Sequence, residues 1–88
     1  MKIKSDFILR EMDDMSIVVA VGESAAKFNG VINLNGTAEF MWKKLSEGCT
    51  KEELIESVLE EYDVPAQTVQ TDVEQFIAKL REENILDE

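Results

Sequence analysis

The sequence predicts a small α+β domain in which three strands precede three α-helices. Two observations lead to this prediction. The first third of the 88-residue chain is rich in β-branched residues at strand-like spacing, and the remaining two thirds carry apolar residues at the spacing of amphipathic helices. The sequence contains neither a repeat nor a linker long enough to separate two domains. We therefore expect residues 1–88 to form one domain with a modest core.

The predicted strands occupy the first 34 residues. Residues 6–12 form the first strand, the acidic pair Asp13-Asp14 predicts a turn, and residues 16–21 are β-branched enough for a buried strand. A third strand is expected over residues 28–34, where Asn29-Gly30 can accept positive φ angles or a bulge at its start.

The predicted helices begin at good capping residues. Asn35 can cap the first helix, and Thr50 with Glu53 has the spacing of a capping box for the second. The third helix is expected to follow Pro65 and to fray near Asn84. Its apolar stripe consists of Val69, Val73, Phe76, Ile77 and Leu80. A three-stranded antiparallel sheet followed by three helices that cover one side resembles the winged-helix arrangement.

Composition excludes several classes of function. The formal charge of −10, from 19 acidic and 9 basic residues, disfavours binding to nucleic acid and to anionic membranes. No apolar run resembles a signal peptide or a membrane span, so we expect a soluble, cytoplasmic protein. Histidine is absent and Cys49 is the single cysteine, so we expect no catalytic residue, metal site or cofactor. Cys49 is interpreted as a turn residue, and Trp42 and Tyr62 as core residues.

The third predicted strand is unusual because GVINL, residues 30–34, has no charge and no proline. Two strands of a three-stranded sheet are edges, and edge strands usually carry charged residues or proline, which prevent pairing with other chains. An unprotected edge can capture an extended peptide, or it can pair with a second copy. Both a monomer and a weak homodimer are therefore compatible with the sequence.

From the third strand onward, the chain resembles the PqqD-like family, named after a protein of pyrroloquinoline quinone biosynthesis. The family pattern is similar to Leu34-Asn35, Trp42 and Tyr62 here. Further residues that fit the pattern are Gly48, Thr50, Glu52–Leu54, Asp72-Val73, Phe76 and Ile85-Leu86. The resemblance covers roughly residues 7–87. Ala38 departs from it, since many members have glycine there, and this difference affects how closely the first helix approaches the sheet.

The resemblance implies a non-catalytic peptide chaperone. Family members bind the leader segment of a ribosomally synthesised precursor peptide and present it to a modifying enzyme, such as a radical-SAM maturase or a leader peptidase. The leader is expected to add a strand to the third strand and to lie against the third helix, in agreement with the edge argument. Two alternatives remain: a generic protein–protein adaptor, and a winged-helix transcription regulator, which the sparse basic residues of the third helix disfavour.

The predicted peptide-binding residues lie on these two elements. On the strand they are Val31, Ile32, Asn33 and Leu34, whose backbone would form the ladder. On the third helix they are Asp72, Gln75 and Lys79, which share one flank of the apolar stripe with Thr68, and Phe76, which lies at the border of the stripe. The opposite flank carries Gln70, Glu74 and Arg81, and the resemblance at Asp72 favours the first flank.

Overall fold

The computed structural model describes residues 1–26 and 32–88 of the chain. Its elements, in chain order, are β1 (Lys2–Ile3), β2 (Phe7–Met12), β3 (Met15–Ala20), a 3₁₀ helix (Gly22–Ala26), β4 (Ile32–Leu34), α1 (Gly36–Glu47), α2 (Lys51–Glu61), α3 (Ala66–Glu82) and β5 (Leu86–Asp87). Strands β2, β3 and β4 form one antiparallel sheet, and the three helices follow it in the chain. The predicted winged-helix-like α+β fold is confirmed.

The sheet is built on a β2–β3 hairpin whose turn is the predicted Asp13-Asp14 pair. Met12 pairs with Met15 across this turn, and Asp13 adopts a positive φ of 25°. Strand β4 then pairs with β3, with Leu34 opposite Ser16. The predicted third strand is therefore confirmed over residues 32–34, whereas its expected first part, residues 28–31, lies outside the described residues.

The core lies between one face of this sheet and the three helices. Side chains alternate across a strand, so Val18 of β3 and Leu34 of β4 point towards the helices and are buried. Trp42 is 3% exposed, which confirms its interpretation as a core residue. The helices contribute most of the fully buried residues at the centre of the core, mainly Leu45, Leu54, Val69, Val73 and Leu80.

The predicted caps account for the helix starts. The Asn35 side chain accepts a hydrogen bond from the Ala38 amide at 2.8 Å. Thr50 and Glu53 exchange the two hydrogen bonds of a capping box, at 3.1 and 2.9 Å. The first two helices therefore begin where a nearby side chain satisfies free amides of the first turn. Helix α3 follows Pro65, as predicted, and has no side-chain cap.

The C-terminal end differs from the prediction. The chain does not fray near Asn84, because the Ile85 amide donates to the Leu80 carbonyl and the Asn84 amide donates to the Arg81 carbonyl. These two bonds form a Schellman motif, with Asn84 at a positive φ of 59°. The motif turns the chain so that Ile85 enters the core and β5 pairs with β1.

The β1–β5 ladder and the 3₁₀ helix are elements that the sequence analysis did not predict. The ladder is a second, two-stranded antiparallel sheet with Ile3 opposite Leu86. The amino terminus is bonded to the turn between α1 and α2, since the Met1 ammonium group donates to the Cys49 carbonyl at 3.0 Å and the Cys49 amide donates to the Met1 carbonyl at 3.0 Å. Both chain ends are thereby fixed to the helical layer.

Candidate functional site

Strand β4 forms one edge of the three-stranded sheet. Its inner side pairs with β3, and in the described part of the chain no strand pairs with its outer side. Ile32 is half-buried and Leu34 is buried on the helix-facing side, while Asn33 is exposed on the opposite face. These three predicted site residues therefore lie on an edge strand without charge, as the sequence indicated. The fourth predicted strand residue, Val31, lies outside the described residues.

An open groove of about 310 Å³ lies between the N-terminal half of α1 and the exposed flank of α3. All four predicted helix residues line it: Asp72, Gln75, Phe76 and Lys79. Asn35 also lines it, and this residue directly follows Leu34. The end of β4 and the groove are consequently contiguous, so an extended peptide on the strand edge can continue past Asn35 along α3.

The α3 wall of the groove combines an apolar centre with polar ends. Phe76 is half-buried and packs against the hydrophobic core, whereas Asp72, Gln75 and Lys79 are exposed. Asp72 and Lys79 are seven residues apart on the helix, which corresponds to roughly 10 Å along its axis. The groove therefore presents an anionic group at one end, a cationic group at the other, and an aromatic ring between them.

The opposite flank of α3 is occupied by intramolecular ion pairs. Glu74 accepts a hydrogen bond from the Lys51 ammonium group of α2 at 2.9 Å. Arg81 donates to both carboxylate oxygens of Glu88, with a shortest distance of 2.7 Å. Of the two flanks that the sequence analysis compared, the one with Asp72 lines an open groove, and the other faces partners within the chain.

The other wall of the groove was not identified from the sequence. It consists of Thr37, Ala38 and Met41, all on the first turns of α1. Met41 belongs to the apolar stripe of that helix, and the sequence offers no signal that part of this stripe faces α3 across an opening. Ala38 contributes a methyl group to this wall.

The remaining reactive groups offer little chemistry. Cys49 is half-buried, and burial, with a smaller contribution from the Glu53 carboxylate, raises the pKa of its thiol. A raised pKa leaves less of the nucleophilic thiolate at neutral pH. Within residues 1–26 and 32–88, no group of acidic or cysteine side chains is arranged to hold a metal ion. In the same residues, no helix is both long and apolar enough to cross a bilayer.

A family model described as Coenzyme PQQ synthesis protein D (PqqD) matches residues 16–86, and the chain belongs to this family. No curated protein sequence matches the chain.

Two solved structures share the fold over almost the whole chain. One is described as TbiB1 in complex with the TbiA(beta) leader peptide; it has 24% sequence identity and a TM-score of 0.79, and the match covers 99% of this chain and 95% of that one. The other is a lasso peptide synthetase B1 complexed with the leader peptide, with 18% identity and a TM-score of 0.74, covering 96% of this chain and 93% of that one. Both solved proteins therefore carry leader peptides on the same fold.

Proposed function

We propose that this chain is a non-catalytic peptide chaperone that binds the leader segment of a ribosomally synthesised precursor peptide and presents it to a modifying enzyme. The observation that carries the proposal is the contiguity of the uncharged β4 edge with the groove lined by Asp72, Gln75, Phe76 and Lys79. The leader complexes of the two structural neighbours support it. The proposed place of action is the cytoplasm, where ribosomal precursor peptides are made.

In this proposal the leader docks as an added strand on β4. Main-chain hydrogen bonds to residues 31–34 set its register, since an extended peptide offers the same backbone donors and acceptors as a neighbouring strand. Beyond Asn35 the leader follows α3, where Phe76 offers apolar contact and Asp72 and Lys79 offer charged hydrogen bonds. Specificity then comes from the side chains of the leader, and affinity comes largely from its backbone.

In this role the chain positions the leader peptide and contributes no catalytic residue. The modifying enzyme is expected to be a separate protein, such as a radical-SAM maturase or a leader peptidase, that acts on the core peptide beyond the bound leader. The purified chain should therefore have no turnover of its own and should raise modification when it is added to the enzyme. An activity that copurifies with the chain and survives replacement of Cys49 would contradict this role.

The direct test is titration calorimetry with a synthetic peptide of the cognate leader. Gln75→Ala removes one polar contact in the groove and should weaken binding about three- to tenfold, the equivalent of one hydrogen bond. Gln70→Ala is the matched control, because it makes the same change on the opposite flank of α3 and should leave the affinity unchanged. Lys79→Glu should cost roughly 1 kcal/mol or less, since the side chain is exposed and screened.

The strand part of the proposal has its own variant. Val31→Pro fixes φ and removes one backbone donor from the edge, so it should weaken leader binding far more than Glu56→Ala on the surface of α2. Circular dichroism is needed first to establish that each variant is folded. A folded Val31→Pro protein that binds the leader as tightly as the wild type would show that the peptide docks elsewhere.

A further inference from the structure

An open pocket of about 420 Å³ lies at the end of the sheet where the β2–β3 hairpin turns. Its floor is one row of paired positions, Glu11, Ser16 and Leu34, whose side chains share the helix-facing side of the sheet. The hairpin turn and the start of α1 form its rim. Asn35 lines both this pocket and the groove, so the pocket adjoins the proposed path of the leader at the end of β4.

The pocket has an excess of negative charge. Four carboxylates line it: Glu11, Asp13, Asp14 and Glu39. The Lys43 ammonium group lies 2.7 Å from Glu11 and 3.3 Å from Glu39, and so compensates part of this charge. Within residues 1–26 and 32–88, Asp13 and Asp14 form no ion pair. The pocket therefore attracts a further cation, in a chain whose formal charge is already −10.

Ser16 adds an unused hydrogen-bonding group to this pocket. It is the one polar residue among the buried residues that the structure describes, with an exposure of 4%. In the described part of the chain its hydroxyl forms no hydrogen bond, and no side-chain nitrogen or oxygen that is sealed from solvent lacks a partner. The hydroxyl is therefore not sealed, and it opens into the pocket that Ser16 lines. Among carboxylates, the ligand that suits this oxygen is an N–H donor with a positive charge.

A long cationic side chain fits the distances. Neighbouring strands lie about 4.8 Å apart, so a peptide strand added to β4 places its backbone roughly 10 Å from the Ser16 backbone. Lysine and arginine are the positively charged side chains long enough to cover most of this distance. A metal ion suits the pocket less well, because no three acidic or cysteine side chains of the described residues are arranged to hold one.

We propose that this pocket binds one lysine or arginine side chain of the leader peptide. The ammonium or guanidinium group donates to the Ser16 hydroxyl and to a carboxylate of the hairpin turn, Asp13 or Asp14. This inference rests on the proposed function and deepens it: the leader carries a basic residue close to the position that pairs with Leu34. The acidic chain thus selects its ligand by charge at one end of the strand, in addition to backbone pairing along it.

The test on the protein side removes the two kinds of acceptor. Ser16→Ala should keep or raise Tm, because the hydroxyl has no partner in the described chain, and should weaken binding of the synthetic leader peptide about tenfold. Asp13→Asn keeps a residue that tolerates the positive φ of the turn and should weaken binding about two- to fivefold at low salt. Asp87→Asn on β5 is the matched control, since it makes the same change of charge outside the pocket and should leave the affinity unchanged.

The peptide side closes a double-mutant cycle. Each arginine of the synthetic leader is replaced in turn by citrulline and each lysine by norleucine, which removes the charge and keeps the length of the side chain. One replacement should weaken binding to the wild-type chain about tenfold and should have a smaller effect on binding to Ser16→Ala. NMR gives an independent readout: the Ser16 amide signal should shift further with the unmodified leader than with that neutral peptide.

The possible failures are distinguishable. If stable Ser16→Ala and Asp13→Asn proteins bind the leader as tightly as wild type, or if every basic residue of the leader can be neutralised without loss, the inference is wrong, while leader binding at β4 stands. If the two variants weaken binding of the modifying enzyme and leave leader binding unchanged, the cation belongs to that enzyme and the inference is equally wrong. If the wild-type chain does not bind the synthetic leader at all, the inference falls together with the proposed function.

Discussion

Shortening Ile85 to alanine should destabilise the whole protein, although this residue is the fourth from the C-terminus. Its side chain is 0% exposed, and its amide is bonded to the Leu80 carbonyl at 2.9 Å. Replacing a fully buried isoleucine by alanine costs about 2–5 kcal/mol. A domain of this size has a total stability of about 5–15 kcal/mol, so the loss is a large fraction of it.

Thermal unfolding followed by circular dichroism measures this loss. A change of 1 kcal/mol shifts Tm by about 4–8 °C in a domain of this size, so Ile85→Ala should lower Tm by about 10 °C or more. Leu59→Ala on α2 is the control, because Leu59 is 36% exposed and its replacement should lower Tm much less than Ile85→Ala does. If Ile85→Ala melts within about 2 °C of the wild type, the C-terminal segment is not part of the core and the reasoning is refuted.

Three further predictions concern single groups. Thr50→Ala removes half of the capping box with Glu53 and should cost about 1 kcal/mol in urea unfolding, whereas Thr50→Ser should restore most of it; equal losses would contradict the capping role. The Arg81 guanidinium lowers the pKa of the Glu88 carboxyl, so this pair stabilises the fold above the unfolded-state pKa and loses that effect as the pH falls through the folded-state pKa. The Tm deficit of Arg81→Gln at about pH 7 should therefore shrink at about pH 3, and a constant deficit would argue against it. Because burial raises the pKa of Cys49, iodoacetamide at neutral pH should alkylate it more slowly than an unstructured cysteine peptide; an equal rate would contradict the burial.

The groove shows how far sequence periodicity can lead. A helical spacing of three and four residues places Asp72, Gln75, Phe76 and Lys79 on one flank wherever α3 lies, and the structure places all four along one groove. The spacing does not predict which element of the fold lies opposite that flank. The contributions of Thr37 and Met41 depend on how α1 crosses α3.

The sequence by itself determined the features that arise from neighbouring residues. The Asp13-Asp14 turn, the Asn35 cap and the Thr50–Glu53 box each satisfy backbone groups within a few residues, so their local chemistry is sufficient to specify them. Only the tertiary structure decided that the two ends of the chain pair with each other. Two strands of two residues are too short to carry a periodic signal, and the Ile3–Leu86 pairing joins positions more than 80 residues apart in the sequence. Such a ladder is stable only because the folded core holds both ends together and buries Ile85 beside it.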